Sequence, residues 1–225
     1  MVSEHTLVID EVKHTYKLRI SRRARNIQIQ ISQDGTTQFI LPYRFRNFDH
    51  KAFIHSKSDW LKKHLNRKRT DGYLYLGEKV ILVSNYDLFV KTPEYSLVNK
   101  TLSIKLPVDD QRTLKQIYES WLYKNAIDYL PQRLSELAGI HKLKPQRVTI
   151  RRQKTRWGSC SRSGSISLNY KLVMLRNDLI DYILIHELCH LKELNHSDRF
   201  WKLVGGILPG YKEFRKELKQ IKIYN

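Results

Sequence analysis

The stretch Ile183-Leu184-Ile185-His186-Glu187-Leu188-Cys189-His190 sets two histidines four residues apart, with a glutamate directly after the first. On an α-helix, positions i and i+4 lie one turn apart on the same face, so both imidazoles reach one metal ion at roughly 2.0–2.1 Å. Glu187 projects beside them, placed to take a proton from water activated by the metal instead of binding it. The residues before it, Asn177 to Leu184, supply an N-cap and then an almost all-round apolar helix, predicted over about 178–192. Two histidines and a glutamate buried in such a helix demand a partner such as a metal. His196, six residues after His190 and beyond a turn at Leu194-Asn195, is the candidate third ligand. Three protein ligands with an open fourth position is the catalytic zinc pattern; four protein ligands close a structural site. Glu193 stands where a glycine often turns the chain toward a third histidine, so the helix is expected to run on a little. Glu193, Cys189 and Asp198 are the substitutes if His196 does not reach. Core histidines with ordinary hydrogen bonds are the alternative. His5, His14, His50, His55, His64 and His141 show no comparable spacing and read as surface or packing residues.

Upstream, Thr155-Arg156-Trp157-Gly158-Ser159-Cys160-Ser161, a turn at Ser163-Gly164, and Ser165 to Tyr170 read as a β-hairpin. An extended peptide can add to the edge of such a hairpin through main-chain hydrogen bonds, which makes Trp157, Gly158 and Ser159 candidate substrate-binding residues. Gly158 marks a bulge or a close backbone approach. Leading into the hairpin, residues 141–157 carry Lys142, Lys144, Arg147, Arg151, Arg152, Lys154 and Arg156 with no acid. Alternation along a strand sets Arg151 on one face and Arg152 with Lys154 on the other. Arg151, Arg152, Lys154 and Arg156 are therefore candidate nucleic-acid contacts, with a solvated basic face as the alternative.

Further out, residues 5–45 read as short strands, with period-two alternation over 26–32, a hairpin turn at Asp34-Gly35 and resumption over 37–41. Asn47 or Asp49 caps a helix predicted over 49–68, carrying Phe53, Ile54, Trp60, Leu61 and Leu65 at helical spacing. Val80 to Val83, Leu88 to Val90 and Leu102 to Leu106 are candidate strands. Near 110 the pattern changes: Asp109-Asp110 caps a long helix through Ala138, which Pro131 should kink or interrupt and Gly139 should end. Strands return at 147–151, and shorter helices follow near 197–205 and 211–222. The predicted domains are 1–110, β-rich with one helix, and 111–225, which carries the histidines.

The formal net charge is +19, with 19 basic and 12 acidic residues in 1–110 and 22 and 10 in 111–225. Such a field favours polyanionic partners, DNA or RNA among them. Apolar residues make up 41% and charged residues 28%, an ordinary globular composition that excludes a disordered chain. No stretch approaches the ~20 apolar residues of a membrane helix. The first residues carry acids and no apolar run, so no signal peptide is expected. Two cysteines, Cys160 and Cys189, build no disulfide framework, and a cytoplasmic protein is expected. Oligomeric state is left open.

The strings R-W-G-S-C-S (156–161), L-N-Y-K-L (168–172), I-L-I-H-E-L-C-H-L (183–191) and N-H-S-D-R-F-W (195–201) resemble the YgjP-like metallopeptidase domain family. The N-terminal half, with Tyr75-Leu76-Gly77, resembles it too. That family is similar to the SprT-like and WLM-type zinc peptidases, some of which act on proteins attached to DNA. The resemblance implies Zn2+ on His186, His190 and His196, catalysis by Glu187, and a peptide or protein substrate. The expected fold is α+β: a zincin-like domain whose H-E-x-x-H helix packs on a small antiparallel sheet, preceded by a β-rich domain. Tyr211, Arg199 and Asn169 are the first guesses for an oxyanion stabiliser. A basic nucleic-acid-binding protein with a structural or vestigial zinc site is the competing reading, and a metal hydrolase acting on other bonds is a third.

Overall fold

The computed structural model describes residues 2–9, 12–32, 36–59, 61, 72–221 and 223. The chain forms two compact units, Met1–Tyr73 with Lys79–Thr113, and Leu74–Glu78 with Leu114–Asn225. The division expected at 110 lacks the excursion 74–78.

The first unit is a mixed sheet of β1 (Val2–Ile9), β2 (Val12–Ser21), β3 (Gln28–Ser32), β4 (Thr37–Pro42), β6 (Glu78–Asp87), β7 (Glu94–Val98) and β8 (Thr101–Pro107). The short β5 (Tyr73–Tyr75) lies where the chain passes from one unit to the other. The strand order is β1-β2-β4-β3-β6-β8-β7, with β2/β4 and β6/β8 parallel. Period-two alternation buries Phe39 and Leu41, Val80, Leu82 and Tyr86, and Leu102, Ile104 and Leu106. Helix α1 (His50–Ser56) is capped by Asp49, one of the two caps expected, whose Oδ1 accepts from the Ala52 N–H at 3.0 Å. Trp60, Leu65 and the Asp34-Gly35 turn lie outside the described residues. The strand expected at Leu88 to Val90 is instead a turn: Asp87 Oδ1 accepts from the Phe89 N–H at 2.9 Å, and Leu88 and Phe89 are exposed. Strand β7 has no such alternation, which hid it. It is made by a two-residue turn, Asn99 and Lys100 at φ 48° and 64°, which returns the chain onto β8.

The second unit begins with α2 (Leu114–Ile140), continuous through Pro131. Proline removes one helical hydrogen bond, and burial of Leu130, Leu134 and Leu137 holds the helix across the gap. The helix begins at Leu114, four residues past Asp110, whose carboxylate holds the Arg112 side chain. Gly139 does not end it either. Lys142 adopts φ 53°, the Leu143 N–H reaches the Ala138 carbonyl at 2.9 Å, and the Lys142 N–H reaches Gly139 at 3.3 Å. That is a Schellman stop, closed by burial of Leu143.

Next come β9 (Arg147–Arg151), β10 (Gly158–Cys160) and β11 (Ser165–Asn169), then a 3-10 turn over Tyr170–Met174. The sheet order is β10-β11-β9, with β10/β11 antiparallel and β11/β9 parallel. The small sheet is thus mixed, not wholly antiparallel as expected: β11, whose Ile166 and Leu168 are fully buried, takes the centre. Helices α3 (Asn177–Cys189), α4 (Asp198–Ile207) and α5 (Tyr211–Leu218) complete the unit. Asn177 is not the cap of α3 but its first residue; its Oδ1 accepts from the Tyr129 hydroxyl of α2 at 3.1 Å. Arg133 of α2 grips Asp181 of α3 through two parallel bonds, 2.8 and 2.7 Å. Residues 74–78 join this unit through the Leu76 N–H on the Val173 carbonyl (2.8 Å) and Tyr75 against Trp121. No helix among the described residues is long and apolar enough to cross a membrane.

Candidate metal centre

Helix α3 buries Leu179, Ile180, Ile183, Leu184 and Leu188, and the same helix carries His186 and Glu187 inward. It stops at Cys189, with His190 as its C-cap, so it does not run on toward Glu193. The His190 Nδ1 lies 2.9 Å from the Glu193 carbonyl oxygen. A carbonyl only accepts, so Nδ1 carries the proton and Nε2 presents its lone pair. The chain then reverses, and Ser197 caps α4 by accepting from the Phe200 N–H. That start returns His196 to the other two histidines.

The three rings converge. His186 Nε2 lies 3.3 Å from His190 Nε2 and 2.9 Å from His196 Nε2. One nitrogen from each lies within 4.8 Å of the others. Ligands at roughly 2.0–2.1 Å around a tetrahedral ion stand roughly 3.3–3.4 Å apart, so this spacing fits one zinc-sized cation. Burial, with His190 and His196 close by, pushes the His186 pKa down to about 3. His196 is also lowered, mainly by burial. Cys189, Glu193 and Asp198 stand outside the cluster. Cys189 is fully buried, and burial pushes its thiol up to about 11.

Glu187 is 5% exposed, and its Oε2 is buried with no hydrogen-bond partner among the described residues. Burial pushes its carboxyl up to about 8, opposed by the Arg156 charge. A dication on the neighbouring histidines would pull it back down. Gly158 is the close approach that the sequence marks. A Cβ there would meet Glu187 Oε1 at 2.6 Å and Cδ at 2.8 Å.

Strand β10 is an edge of its sheet and packs on α3. The Trp157 carbonyl accepts from the Asn169 N–H (2.8 Å) and the Ser161 N–H donates to the Ser165 carbonyl (2.9 Å). Alternation in an antiparallel ladder then turns the main-chain groups of Trp157, Ser159 and Ser161 toward β11, and those of Gly158 and Cys160 to the free edge. Cys160 feels the Glu187 charge, although burial is the larger reason its thiol rises to about 11.

Among the basic candidates, β9 ends at Arg151, so Arg152, Lys154 and Arg156 sit in a loop and not on a strand. All four are exposed. The Arg152 guanidinium is held over Tyr123 (4.6 Å) and Tyr170 (5.1 Å), a packing role. The loop is latched by Asn169, whose Nδ2 donates to the Gln153 and Arg156 carbonyls at 2.9 and 3.0 Å. Asn169 is fully buried and its Oδ1 takes the Lys171 N–H, so it has nothing left for an oxyanion.

Sequence reasoning assigned no role to Phe200 and Trp201 in the aromatic layer beneath the histidines, and guessed Tyr211 only as an oxyanion stabiliser. Phe200 is fully buried and stacks on His190 at 4.4 Å, with His186 and His196 each at 4.9 Å. Trp201 stacks on His196 (5.5 Å) and Tyr211 on Trp201 (5.4 Å). The Arg215 guanidinium covers Trp201 at 4.2 Å. Their signal was the Phe-Trp pair four and five residues after His196 on a Ser-capped helix.

A family profile described as YgjP-like, metallopeptidase domain, matches residues 25–221. The chain belongs to the YgjP-like metallopeptidase family. It is also similar to the crystal structure of the metallopeptidase zymogen of Pyrococcus abyssi abylysin. The two are 30% identical over 42% of this chain and 99% of that one, with a TM-score of 0.38. No curated protein matches. Membership of the YgjP-like metallopeptidases makes a divalent metal and a peptide or protein substrate the expected company of the histidine cluster. In this YgjP-like chain Trp201 stacks on His196, the most exposed of the three histidines. Trp201→Ala is expected to weaken divalent-metal affinity roughly tenfold or more, as loss of ligand-orienting neighbours does. Competition with a chelating dye measures it, and unchanged affinity would remove Trp201 from that role.

Proposed function

We propose that the protein is a zinc-dependent peptidase with His186, His190 and His196 as metal ligands and Glu187 as general base. The observation that carries the reading is the convergence of three imidazole nitrogens beside one buried, unpaired carboxylate. When bound, zinc supplies Lewis acidity and makes water acidic enough to ionise near neutral pH. The protein's own groups divide the remaining work. The free edge of β10 offers the N–H and C=O of Gly158 and Cys160, so an extended substrate lies along it as an added strand. Glu187, against Gly158, then faces the scissile bond. Its carboxylate takes a proton from the attacking water and passes it to the departing amine, while Phe200 keeps bulk water from the ring side of the histidines. Trp157 and Ser159 flank that edge and shape the neighbouring positions of the substrate. Arg156, whose charge Glu187 feels, and Arg215, whose charge His186 and His196 feel, are the cations that would favour the developing negative charge.

Metal content by elemental analysis is the test of the site. The parent chain is expected to hold about one zinc per chain, and His196→Ala much less. A well-folded parent that takes up no zinc when it is supplied would end this reading. A panel of peptide, ester and nucleotide substrates then separates a peptidase from other metal hydrolases, and the reading expects turnover of peptides.

A further inference from the structure

Strands β2 and β4 run parallel with Ser21 opposite Pro42. The segments that leave them, Arg22-Arg23-Ala24-Arg25 and Tyr43-Arg44-Phe45-Arg46, therefore emerge side by side from one end of the sheet of the first unit. Both are held in place. The Ser21 hydroxyl accepts from the Arg23 and Ala24 N–H groups at 3.3 and 3.2 Å, and Tyr43–Phe45 forms a 3-10 turn. Arg44 Nη2 donates to the Arg25 carbonyl at 2.6 Å, which ties the two segments together.

All five arginines are exposed, and Tyr43 is 46% exposed. Arg22 and Arg46 stand over the Tyr43 ring at 5.3 and 5.0 Å, and Arg44 over Phe45 at 4.8 Å. Neither 12–32 nor 36–48 contains an acid. Asp87, which Asn26 and Gln28 reach at 3.3 Å, is 2% exposed and already accepts from both. Among the described residues none of the five guanidiniums is paired with a carboxylate, whereas Arg112, Arg133 and Arg176 all are. Five like charges crowded together repel each other, so this arrangement costs stability unless a polyanion uses it. Aromatic faces hold the guanidinium planes, and Arg22 and Arg46 keep their N–H forks free, the geometry that takes phosphate oxygens two at a time, while Arg44 spends one N–H on the Arg25 carbonyl.

We infer that this arginine and tyrosine patch binds the backbone of a single-stranded nucleic acid, independently of the metal centre. A single strand fits better than a duplex because the patch is two short segments with aromatic rings. A major groove admits a helix or a β-ribbon, and a flexible strand instead bends its phosphates and bases to such a surface.

Fluorescence anisotropy of the intact chain with a labelled oligothymidylate, across a salt series, tests it. The triple variant Arg22→Gln, Arg44→Gln, Arg46→Gln is expected to bind at least about tenfold more weakly at low salt. Its slope of log affinity against log salt should flatten by about 2, at about 0.7 per lost phosphate contact. A charge-matched control, Lys212→Gln, Lys216→Gln, Lys219→Gln, removes the same net charge from α5 and its C-cap in the other unit. Equal weakening by the control would reduce the effect to diffuse charge and overturn the inference. So would a parent that binds anionic phospholipid vesicles but not the oligonucleotide. Should the glutamine variant not fold, the three Arg→Lys changes keep charge but remove the forks. Several-fold weaker binding with an unchanged slope supports the patch, and unchanged binding overturns it.

Discussion

Glu187→Gln is expected to keep its zinc and lose about a hundredfold to ten-thousandfold in kcat, the range a positioned general base contributes. Glutamine has the shape of glutamate, so it fits the space between α3 and Gly158 that admits no extra atom. It cannot take a proton from water. No protein hydrogen bond to Oε2 is lost, because that atom has none among the described residues. Burying a neutral amide where a carboxyl has its pKa pushed up to about 8 also removes a desolvation penalty. The variant should therefore melt at or above the parent temperature in the metal-free state, as calorimetry can establish. Metal content measured alongside hydrolysis of a quenched fluorescent peptide separates base loss from metal loss. Full activity in a zinc-loaded variant would take Glu187 out of the mechanism.

The histidine cluster was legible because its spacing is local. Two histidines one helical turn apart lie on one face whatever the rest of the chain does, and the apolar run before them buries that face. His196 depended on how α3 ends, which spacing does not give: the stop at Cys189 and the His190 bond to the Glu193 carbonyl make the reversal without glycine. The strands over 37–41, 80–83 and 102–106 were visible as short apolar-rich runs. Strand β7 was not, because Glu94, Ser96, Leu97 and Val98 are all exposed and leave no pattern. Pairing decided what alternation cannot. The central place of β11 follows from the burial of Ile166 and Leu168, a property of the packed unit. Pro131 misled for a related reason: its cost is local, while the burial that offsets it comes from Leu130 and Leu134 on either side of it. The arginine patch needed the structure outright, since 22–25 and 43–46 are brought together only by the parallel β2/β4 register.

Gly158→Ala is expected to cut turnover by about a hundredfold while leaving zinc in place, the largest effect foreseen for a residue that neither binds metal nor moves a proton. The backbone at Gly158 is not in the left-handed region that favours glycine, so alanine is conformationally acceptable there. The difficulty is space alone, with Glu187 Oε1 at 2.6 Å and its Cδ and Cγ at 2.8 Å from the new methyl. Those atoms belong to a side chain, so the carboxylate moves and the strand stays. Overpacking of this kind costs roughly 1–3 kcal/mol of stability. A catalytic group displaced by about 1 Å costs on the order of a hundredfold in rate. The double variant Gly158→Ala, Glu187→Gln decides between this account and a general disturbance of the edge strand. If the methyl acts only by displacing the base, adding it to a chain that has no base should cost almost nothing further in kcat. If instead β10 is distorted so that peptides no longer line up along it, the two losses multiply and KM rises with them. A non-additive result assigns Gly158 to the placement of Glu187; a multiplicative one assigns it to the seating of substrate on the edge.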